Sequence, residues 1–396
     1  MAGVEHKGFL GGREAGIADE VVSTTALHTA VERGVVAGVA VLVADAAHGL
    51  IWEGQAGLRD VAAGAPVVAD TLWWVASMSK PMTGAAAMML VDSGELDLDA
   101  PISTHLDEFG AATPQGKLTA RQCLSHTSGL PFASAAELQH EGGKERFAGS
   151  KFAQYRETGD DSVYDGMSLQ DAVASYAVEP LVSEPGTQFL YSNAGINIAG
   201  RLIEVISRQS FAEFMDSRLL GPLGMVDTTL WPSEQQLGRL AKGYASAEPP
   251  SAAGLREVAF PQLTAPFSDT GRGVAPSGGY FSTARDCMRF GRMVLRGGEL
   301  GGRRYLSERA VAELTADQTG DVAAGYGLGW QLDPPGSAGA GGIGHGGAMG
   351  TELWIHPGSG RLTVLMVHQD GGYEADGGDL RRTTKMLGKA VDVSAL

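Results

Sequence analysis

The sequence predicts a mixed α/β (α+β) fold, in which both ends of the chain form one antiparallel sheet and the middle of the chain forms helices. Residues 38–45, GVAVLVAD, have the continuous apolar character of a buried strand, and residues 50–58, LIWEGQAGL, follow after a short turn. A second hairpin is indicated at residues 351–369, with its turn at Pro357-Gly358-Ser359-Gly360. Short connections of this kind join antiparallel strands, so strands from both chain ends are expected to share a sheet.

The middle of the chain carries signals for helix starts. A capping box places a hydroxyl and, three residues later, a polar side chain that together satisfy free backbone N–H groups. Apolar residues at helical spacing follow, as in residues 196–206. The predicted capping boxes are Thr119…Gln122, Ser210…Glu213 and Thr283…Asp286.

The size of the chain predicts more than one typical domain. Its 396 residues and 43% hydrophobic content favour two lobes, or one large domain with an insertion. Residues 133–167 differ from their surroundings, because they are polar, rich in Gly and Glu and weakly periodic. We interpret them as a long surface insertion, either a lid over a site or a plain surface loop.

Composition excludes several functional classes. The formal net charge is −16 and no run of Lys or Arg occurs, so no nucleic-acid partner is expected. No apolar stretch of about 18 residues is present, so no membrane span is expected, and the N-terminus lacks a secretory pattern, which favours a cytoplasmic location. Cys123 and Cys287 are interpreted as buried small apolar residues. No pair of histidines has metal-ligand spacing, so neither a metal nor another cofactor is expected.

The segment Ser77-Met78-Ser79-Lys80 is the first candidate for chemistry. It precedes PMTGAAAMMLVDSGEL, whose composition favours a helix, so Lys80 is expected one turn after Ser77 on the same face. A serine hydroxyl at a helix N-terminus lies in a positive dipole field, and a buried lysine beside it can accept or relay a proton. Taken alone, a surface cap with a solvated lysine explains the same S-x-x-K pattern.

Two further segments carry candidate groups. Tyr191-Ser192-Asn193 lies at a turn before an apolar helix, where a phenol and an amide can both face a cleft, and a phenol near a lysine can act as a general base. His345-Gly346-Gly347-Ala348 runs into the C-terminal hairpin, and the backbone N–H groups of Ala348 and Ser77 can form an oxyanion hole. Each segment has an ordinary alternative, a half-buried Tyr with a helix-capping Asn and a glycine-rich turn.

Taken together and in this order, these segments resemble the serine β-lactamase and penicillin-recognising superfamily, in its class C β-lactamase-like branch and especially the family VIII carboxylesterases. The similarity covers about residues 20 to 390. It is carried by SMSKPMTGAAAMMLVDSGELDLDAPI, LTARQCLSHTSGLP, EPGTQFLYSNAGINIAGRLIEVISRQSFAEFM, PLGMVDT, PSGGYFSTARDCMRFGRM and GYGLGWQL. The resemblance implies one catalytic domain over residues 1–396 with two lobes, a sheet lobe at about 20–76 and 270–396 and a mostly helical lobe at about 77–269.

The resemblance also implies roles residue by residue. Ser77 matches the acylated nucleophile, Lys80 the lysine one turn later and Tyr191 the general base. Asn193 matches the amide of the Y-x-N motif near the substrate. His345-Gly346-Gly347 occupies the place of the K-T-G motif of β-lactamases and penicillin-binding proteins, so these three residues are expected to bind substrate.

The H-G-G segment also departs from the family pattern. In K-T-G the lysine charge and the threonine hydroxyl help to hold a substrate carboxylate, whereas here the charge is at best a titratable histidine and Gly346 has no hydroxyl. An uncharged ester does not need a lysine charge and a threonine hydroxyl at this subsite. We therefore expect a serine hydrolase that cleaves small-molecule carboxylic esters through a Ser77 acyl-enzyme, of undetermined oligomeric state. The alternatives are a β-lactamase, a D-amino-acid amidase or peptidase, an acyltransferase, and, outside the enzymes, a non-catalytic binding module.

Overall fold

A large antiparallel sheet dominates the fold. The computed structural model describes residues 17–132, 168–247, 251–264, 267, 272–322, 325–333 and 341–370, so the predicted insertion at 133–167 lies outside the described residues. The strands are β1 (Gly38–Asp45), β2 (Gly49–Asp60), β3 (Ala65–Pro66), β4 (Trp73–Trp74), β5 (Gly243–Ala245), β6 (Arg256–Val258), β7 (Phe281–Ser282), β8 (Glu299–Leu300), β9 (Arg303–Arg304), β10 (Gln331–Leu332), β11 (Ile343–Gly346), β12 (Glu352–His356), β13 (Arg361–Val367) and β14 (Gln369–Asp370).

Seven of these strands form one sheet in the order β10-β11-β12-β13-β1-β2-β3, and all neighbouring pairs are antiparallel. Strand β1 pairs with β2 across the predicted first hairpin and with β13 from the other end of the chain. Strands β12 and β13 form the predicted second hairpin. The predicted fold class, a mixed fold with a sheet built from both chain ends, is confirmed.

Helices occupy the middle of the chain and pack on both sides of the sheet. They are α1 (Ile17–Glu32), α2 (Ser79–Asp92), α3 (Ala120–Leu124), α4 (Leu169–Tyr176), α5 (Asn193–Ser207), α6 (Phe211–Phe214), α7 (Gly221–Leu223), α8 (Glu234–Leu237), α9 (Pro261–Thr264), α10 (Ala284–Leu295) and α11 (Glu308–Thr315). Short 3₁₀ turns and one π-helical segment, Met215–Leu220, connect several of them. The division into two lobes at the predicted boundaries stays a prediction.

The central strand β1 and the helix α2 show why the core forms where it does. Alternate residues of β1 point to opposite faces, and one face packs with α1 while the other joins the main core, so the whole strand is buried except its last residue. Helix α2 is buried along most of its length. Its small residues 84–87 let neighbouring backbone approach closely; a Cβ added at Gly84, for example, would collide with the carbonyl oxygen of Leu328. The buried α2 therefore carries its N-terminus into the interior.

The predicted helix caps are present with one exception. Complete capping boxes form at Thr119 and at Ser210. At the start of α10, Thr283 accepts from the N–H of Asp286, but the reciprocal bond is absent from the described structure of this cap. The carboxylate of Asp286 instead accepts from the backbone N–H of Asp227 at 2.8 Å and from the guanidinium of Arg289 at 2.7 Å. The prediction of a full box was wrong there, because tertiary partners take the carboxylate.

Two further expectations concern composition. Cys123 and Cys287 are both buried and unpaired as thiols, as predicted, and burial raises the pKa of each to about 12. Within the described residues, no helix has the length and apolar character needed to cross a bilayer.

Candidate active site

Ser77 lies in a tight turn between a strand and a buried helix. Strand β4 pairs with β7, and the N–H of Val75 donates to the carbonyl of Tyr280 at 2.9 Å, which fixes the approach to the turn. Ala76 has a φ of 46°, a left-handed conformation that is strained for a residue with a side chain. Ser77 follows within the 3₁₀ turn Ala76–Met78, and α2 begins at Ser79. The α-helix thus starts two residues later than predicted, but Ser77 remains at its N-terminal end.

The Lys80 ammonium contacts the Ser77 hydroxyl directly. Lys80 is fully buried, and its Nζ donates to Ser77 Oγ at 2.9 Å and to the carbonyl oxygen of Ser277 at 2.8 Å. A buried ammonium is stable only when polar groups replace its water, and these two acceptors do so. The predicted Ser77–Lys80 pair therefore forms, and the alternative of a surface cap with a solvated lysine is wrong.

A buried hydrogen-bond chain holds Ser277 in place. The N–H of Ser277 donates to Asn197 Oδ1 at 3.1 Å, and Asn197 Nδ2 donates to the hydroxyl of Tyr176 at 3.1 Å. Asn197 lies on α5 and is 1% exposed. This support was not predictable from the sequence, because both the Ser277 carbonyl and its partner amide act through long-range contacts.

Tyr191 lies against Lys80, on the segment just before α5. The Nζ of Lys80 is 4.7 Å from the centre of the Tyr191 ring, and that ring stacks with Phe132 at a centroid distance of 6.2 Å. Ser192 is the N-cap of α5, with its hydroxyl accepting from the N–H of Gly195. Asn193 is therefore the first helical residue rather than the cap. The structure brings Ser77, Lys80 and Tyr191 together, although they are far apart in sequence.

The H-G-G-A segment lies beside the Ser77 turn. The Thr351 hydroxyl donates to the carbonyl of Val75 at 3.2 Å, and a Cβ added at Gly347 would lie 2.5 Å from the same carbonyl oxygen. Only glycine permits this approach. Within the described part of the chain, the backbone N–H groups of Ser77 and Ala348 donate no hydrogen bond, and both residues are partly exposed. Two such donors can hold an oxyanion, and the oxyanion hole at these two residues stays a prediction.

Both ring nitrogens of His345 are engaged with protein atoms. Nε2 lies 2.8 Å from the hydroxyl of Tyr326, and Nδ1 lies 2.7 Å from the carbonyl oxygen of Gly346. The same Tyr326 hydroxyl lies 3.1 Å from Nε2 of His126, whose Nδ1 accepts from the N–H of Ser192 at 3.1 Å. His126 thus connects the Tyr191 segment to β11 through Tyr326 and His345.

Burial makes this histidine pair neutral. Burial and, secondarily, the nearby Lys80 charge lower the pKa of His345 to about 3, and the same two causes hold the pKa of His126 well below its usual value. Burial also raises the pKa of the Tyr326 hydroxyl well above its usual value. The titratable charge expected at His345 is therefore absent near neutral pH, so this side chain offers no charge to a substrate.

Most large aromatic side chains on the strands and turns that flank Ser77 belong to the core. Trp73, Trp74 and Tyr280 are at most 5% exposed, which leaves Phe132 as the partly exposed ring beside Tyr191. Substrate contacts of Asn193, His345, Gly346 and Gly347 stay predictions. Tyr326 lies within GYGLGWQL, a segment noted for its resemblance alone, and nothing in its spacing marks the tyrosine as a member of the site.

Comparison with known proteins agrees with this arrangement. A family model described as Beta-lactamase matches residues 24–385. The chain belongs to the beta-lactamase family. Similar family members include Protein Rv1367c of Mycobacterium tuberculosis (32% identity; 69% of this chain and 66% of that protein), Penicillin-binding protein 4 of Amycolatopsis lactamdurans (29%; 81% and 78%) and Esterase EstB of Burkholderia gladioli (30%; 88% and 89%). The chain thus spans just under two thirds of the mycobacterial protein.

Solved structures share the fold at low sequence identity. EstCE1, described as a hydrolase with promiscuous acyltransferase activity, superposes with a TM-score of 0.74 at 21% identity, covering 94% of this chain and 99% of that one. A D-amino acid amidase from Ochrobactrum anthropi SV3 superposes with a TM-score of 0.70 at 20% identity, covering 96% and 100%. At these identities the likeness shows the fold alone.

Proposed function

We propose that this family member hydrolyses small carboxylic esters through an acyl-enzyme on Ser77, as family VIII carboxylesterases do. The observation that carries the proposal is the buried hydrogen bond of 2.9 Å from Lys80 Nζ to Ser77 Oγ, with the Tyr191 ring against the same ammonium. A hydroxyl, an ammonium and a phenol around one point are the groups that nucleophilic catalysis requires. We keep a cytoplasmic location as a proposal from the sequence.

The reaction proceeds in two balanced steps. Tyr191, supported by the Lys80 charge, takes the Ser77 proton while Oγ attacks the ester carbonyl, and the N–H groups of Ser77 and Ala348 stabilise the oxyanion. The bond to the alcohol oxygen breaks, and the alcohol leaves with the proton held by Tyr191. Water then attacks the acyl group, its proton passes to Tyr191, and Ser77 Oγ regains a proton as the carboxylic acid leaves.

The uncharged His345 supports an ester over an anionic substrate. A carboxylate bound beside Gly346 needs a partner charge, because an unpaired buried charge is strongly unfavourable. His345 offers none near neutral pH, since burial lowers its pKa to about 3. An uncharged ester meets no such penalty. The relative EstB is named an esterase, which agrees with this preference.

A side-by-side substrate panel tests the proposal. The purified chain is assayed with p-nitrophenyl acetate and butyrate, nitrocefin and D-phenylalanine amide; the last two are included because relatives or structural neighbours are a penicillin-binding protein and a D-amino acid amidase. We expect the esters to be turned over fastest. Faster hydrolysis of nitrocefin or of the amide would replace the esterase assignment with that activity.

The roles of Ser77 and Tyr191 have their own test. Ser77→Ala is expected to lower kcat by at least about 10³-fold, and Tyr191→Phe by about 10²-fold or more, the usual contribution of a general base. Ser217→Ala, at an exposed serine of the π-helical segment, is the matched control. Mass spectrometry after a fluorophosphonate probe should find the adduct on Ser77. No adduct, together with no turnover, would favour a binding module.

A further inference from the structure

The strongest feature outside the proposed mechanism is a directed chain of hydrogen bonds beside Tyr191. It runs from the backbone N–H of Ser192 through His126, Tyr326 and His345 to the carbonyl of Gly346. Its four contacts measure 3.1, 3.1, 2.8 and 2.7 Å. The chain joins the segment that carries Tyr191 to strand β11, which carries the H-G-G residues.

The two backbone ends fix the direction of every bond. The Ser192 N–H can only donate, so Nδ1 of His126 holds a lone pair and the neutral ring carries its proton on Nε2, which donates to Tyr326. The Gly346 carbonyl can only accept, so His345 carries its proton on Nδ1. Its Nε2 then accepts from the Tyr326 hydroxyl. One phenol with one proton satisfies both rings, and with both rings neutral this is the single arrangement that makes all four bonds.

A second proton on either ring would disrupt this series of hydrogen bonds. On His126 it would face the Ser192 N–H, and on His345 it would face the Tyr326 hydroxyl, whose own proton would lose its acceptor. Water cannot replace the lost hydrogen bonds, because all three side chains are buried: His126 is 0%, His345 1% and Tyr326 2% exposed. Burial and the Lys80 charge lower the pKa of both histidines, in agreement with this geometry.

The surrounding backbone indicates that the arrangement is enforced. His126 has a φ of 59°, a left-handed conformation that costs a non-glycine residue about 1 kcal/mol or more. Its ring lies 4.4 Å from that of Tyr191 and 4.6 Å from that of Tyr326, measured between centroids. The groups that face the two histidines are thus Lys80 from α2, Tyr191 from the segment before α5, and Tyr326.

We propose that Tyr326 is a positioning residue of the active site, whose hydroxyl locks His126 and His345 in complementary neutral tautomers. Because the lone pair of each ring is already used, by Ser192 N–H and by Tyr326, neither imidazole can take the proton of Ser77. The proton is left to Tyr191 and Lys80. This catalytic meaning rests on the proposed function, whereas the tautomers themselves do not.

The tautomers are measured directly by ¹⁵N NMR of the full chain labelled at its nine histidines, with signals assigned by His126→Gln and His345→Gln. We expect His126 as the Nε2–H form and His345 as the Nδ1–H form, both unchanged from pH 5 to pH 9. The opposite tautomer at either residue, or titration of either within that range, would overturn the proposal. Because no turnover is needed, a failed esterase assignment leaves this test intact.

The role of the hydroxyl is tested with Tyr326→Phe, which removes one oxygen. His345 Nε2 then loses its donor, and since that bond favoured the neutral form, the pKa of His345 moves up towards its usual value. We expect kcat to fall about 10-fold and a new acidic limb to enter the pH–rate profile. The matched control is Tyr305→Phe, whose half-buried hydroxyl donates to the Pro222 carbonyl at 2.7 Å outside the site.

The two outcomes of the variant are distinct. A Tyr326→Phe profile with a new acidic limb, next to a Tyr305→Phe profile like that of the unmodified chain, supports the positioning role. Identical profiles for Tyr326→Phe and the unmodified chain would refute it. If Tyr326→Phe does not fold, the tautomers of the unmodified chain still decide the proposal.

Discussion

Asn197→Leu separates the stability of the core from the alignment of Lys80. Leucine has the same branching and the same number of side-chain heavy atoms as asparagine, but it removes the acceptor of the Ser277 N–H and the donor to the Tyr176 hydroxyl, both at 3.1 Å. The carbonyl of Ser277, which accepts from Lys80 Nζ at 2.8 Å, then loses its fixed position. The substitution thus affects the Ser77 nucleophile indirectly, through Ser277 and Lys80, without contacting it.

The expected magnitudes follow from what is left unpaired. A buried polar group without its partner costs about 1–3 kcal/mol, so the loss of the acceptor of the Ser277 N–H should lower the free energy of unfolding by about that amount, out of a total of about 5–15 kcal/mol for a typical domain. A displacement of about 1 Å at a reacting group can lower the rate by about 10²-fold. We expect kcat of Asn197→Leu to fall by about 10- to 100-fold.

Tyr176→Phe is the matched control. It removes the acceptor of Asn197 Nδ2 but keeps the bond from Asn197 to Ser277, so it should destabilise the chain and leave kcat close to that of the unmodified chain. Urea unfolding followed by circular dichroism gives the stabilities, and turnover of p-nitrophenyl butyrate gives kcat for the folded protein. If Asn197→Leu and Tyr176→Phe have the same kcat, Asn197 has only a structural role.

The remaining predictions concern pH and close packing. Burial lowers the pKa of His345 to about 3 and of His368 to about 4, whereas unfolded histidine takes a proton below about pH 6.5. The free energy of unfolding should therefore fall as the pH drops from about 6.5 to about 4, by up to about 1.4 kcal/mol per unit for each histidine. Gly347→Ala would place its Cβ 2.5 Å from the carbonyl oxygen of Val75. We therefore expect the free energy of unfolding, measured with urea, to fall by about 1–3 kcal/mol and esterase activity to be lost. Gly358→Ala, in open space, should change neither.

For the pH prediction and for the glycine prediction, one measurement each gives the contradicting outcome. The pH prediction is tested by urea titrations at pH 7, 5.5 and 4, with His48→Gln as the control because that histidine is exposed at the first hairpin. A free energy of unfolding that does not decline between about pH 6.5 and 4 would contradict it. Equal activities of Gly347→Ala and Gly358→Ala would show that the Ser77 turn tolerates a wider gap to the H-G-G segment.

Local patterns sufficed for the elements and for the reactive pair. Strand β1 spans Gly38–Asp45, the predicted range, because a continuous apolar run fits the centre of a sheet that is covered on both faces. The Ser77–Lys80 contact agrees with helical spacing, since residues three apart share a face, and the burial of Lys80 decides it against the surface-cap alternative. In each case the deciding contacts lie within one element or one turn.

Long-range polar contacts were not predictable in the same way. Tyr326, Asn197 and the Ser277 carbonyl act across large sequence separations, and each looks like an ordinary core residue in its own segment. Asp286 has the right spacing for a capping box, yet its carboxylate binds Asp227 and Arg289. Such choices depend on which partners the fold brings within reach, and that information is absent from any local window.

The position of β1 in the sheet has a consequence for biosynthesis. One edge of β1 finds its partner at once in β2, but the other edge pairs with β13, more than three hundred residues later in the chain. While the ribosome is still translating the middle of the chain, that apolar edge stays open to pairing with other nascent chains. We therefore expect yield in recombinant expression to depend strongly on temperature and on chaperones, even where the finished protein is stable.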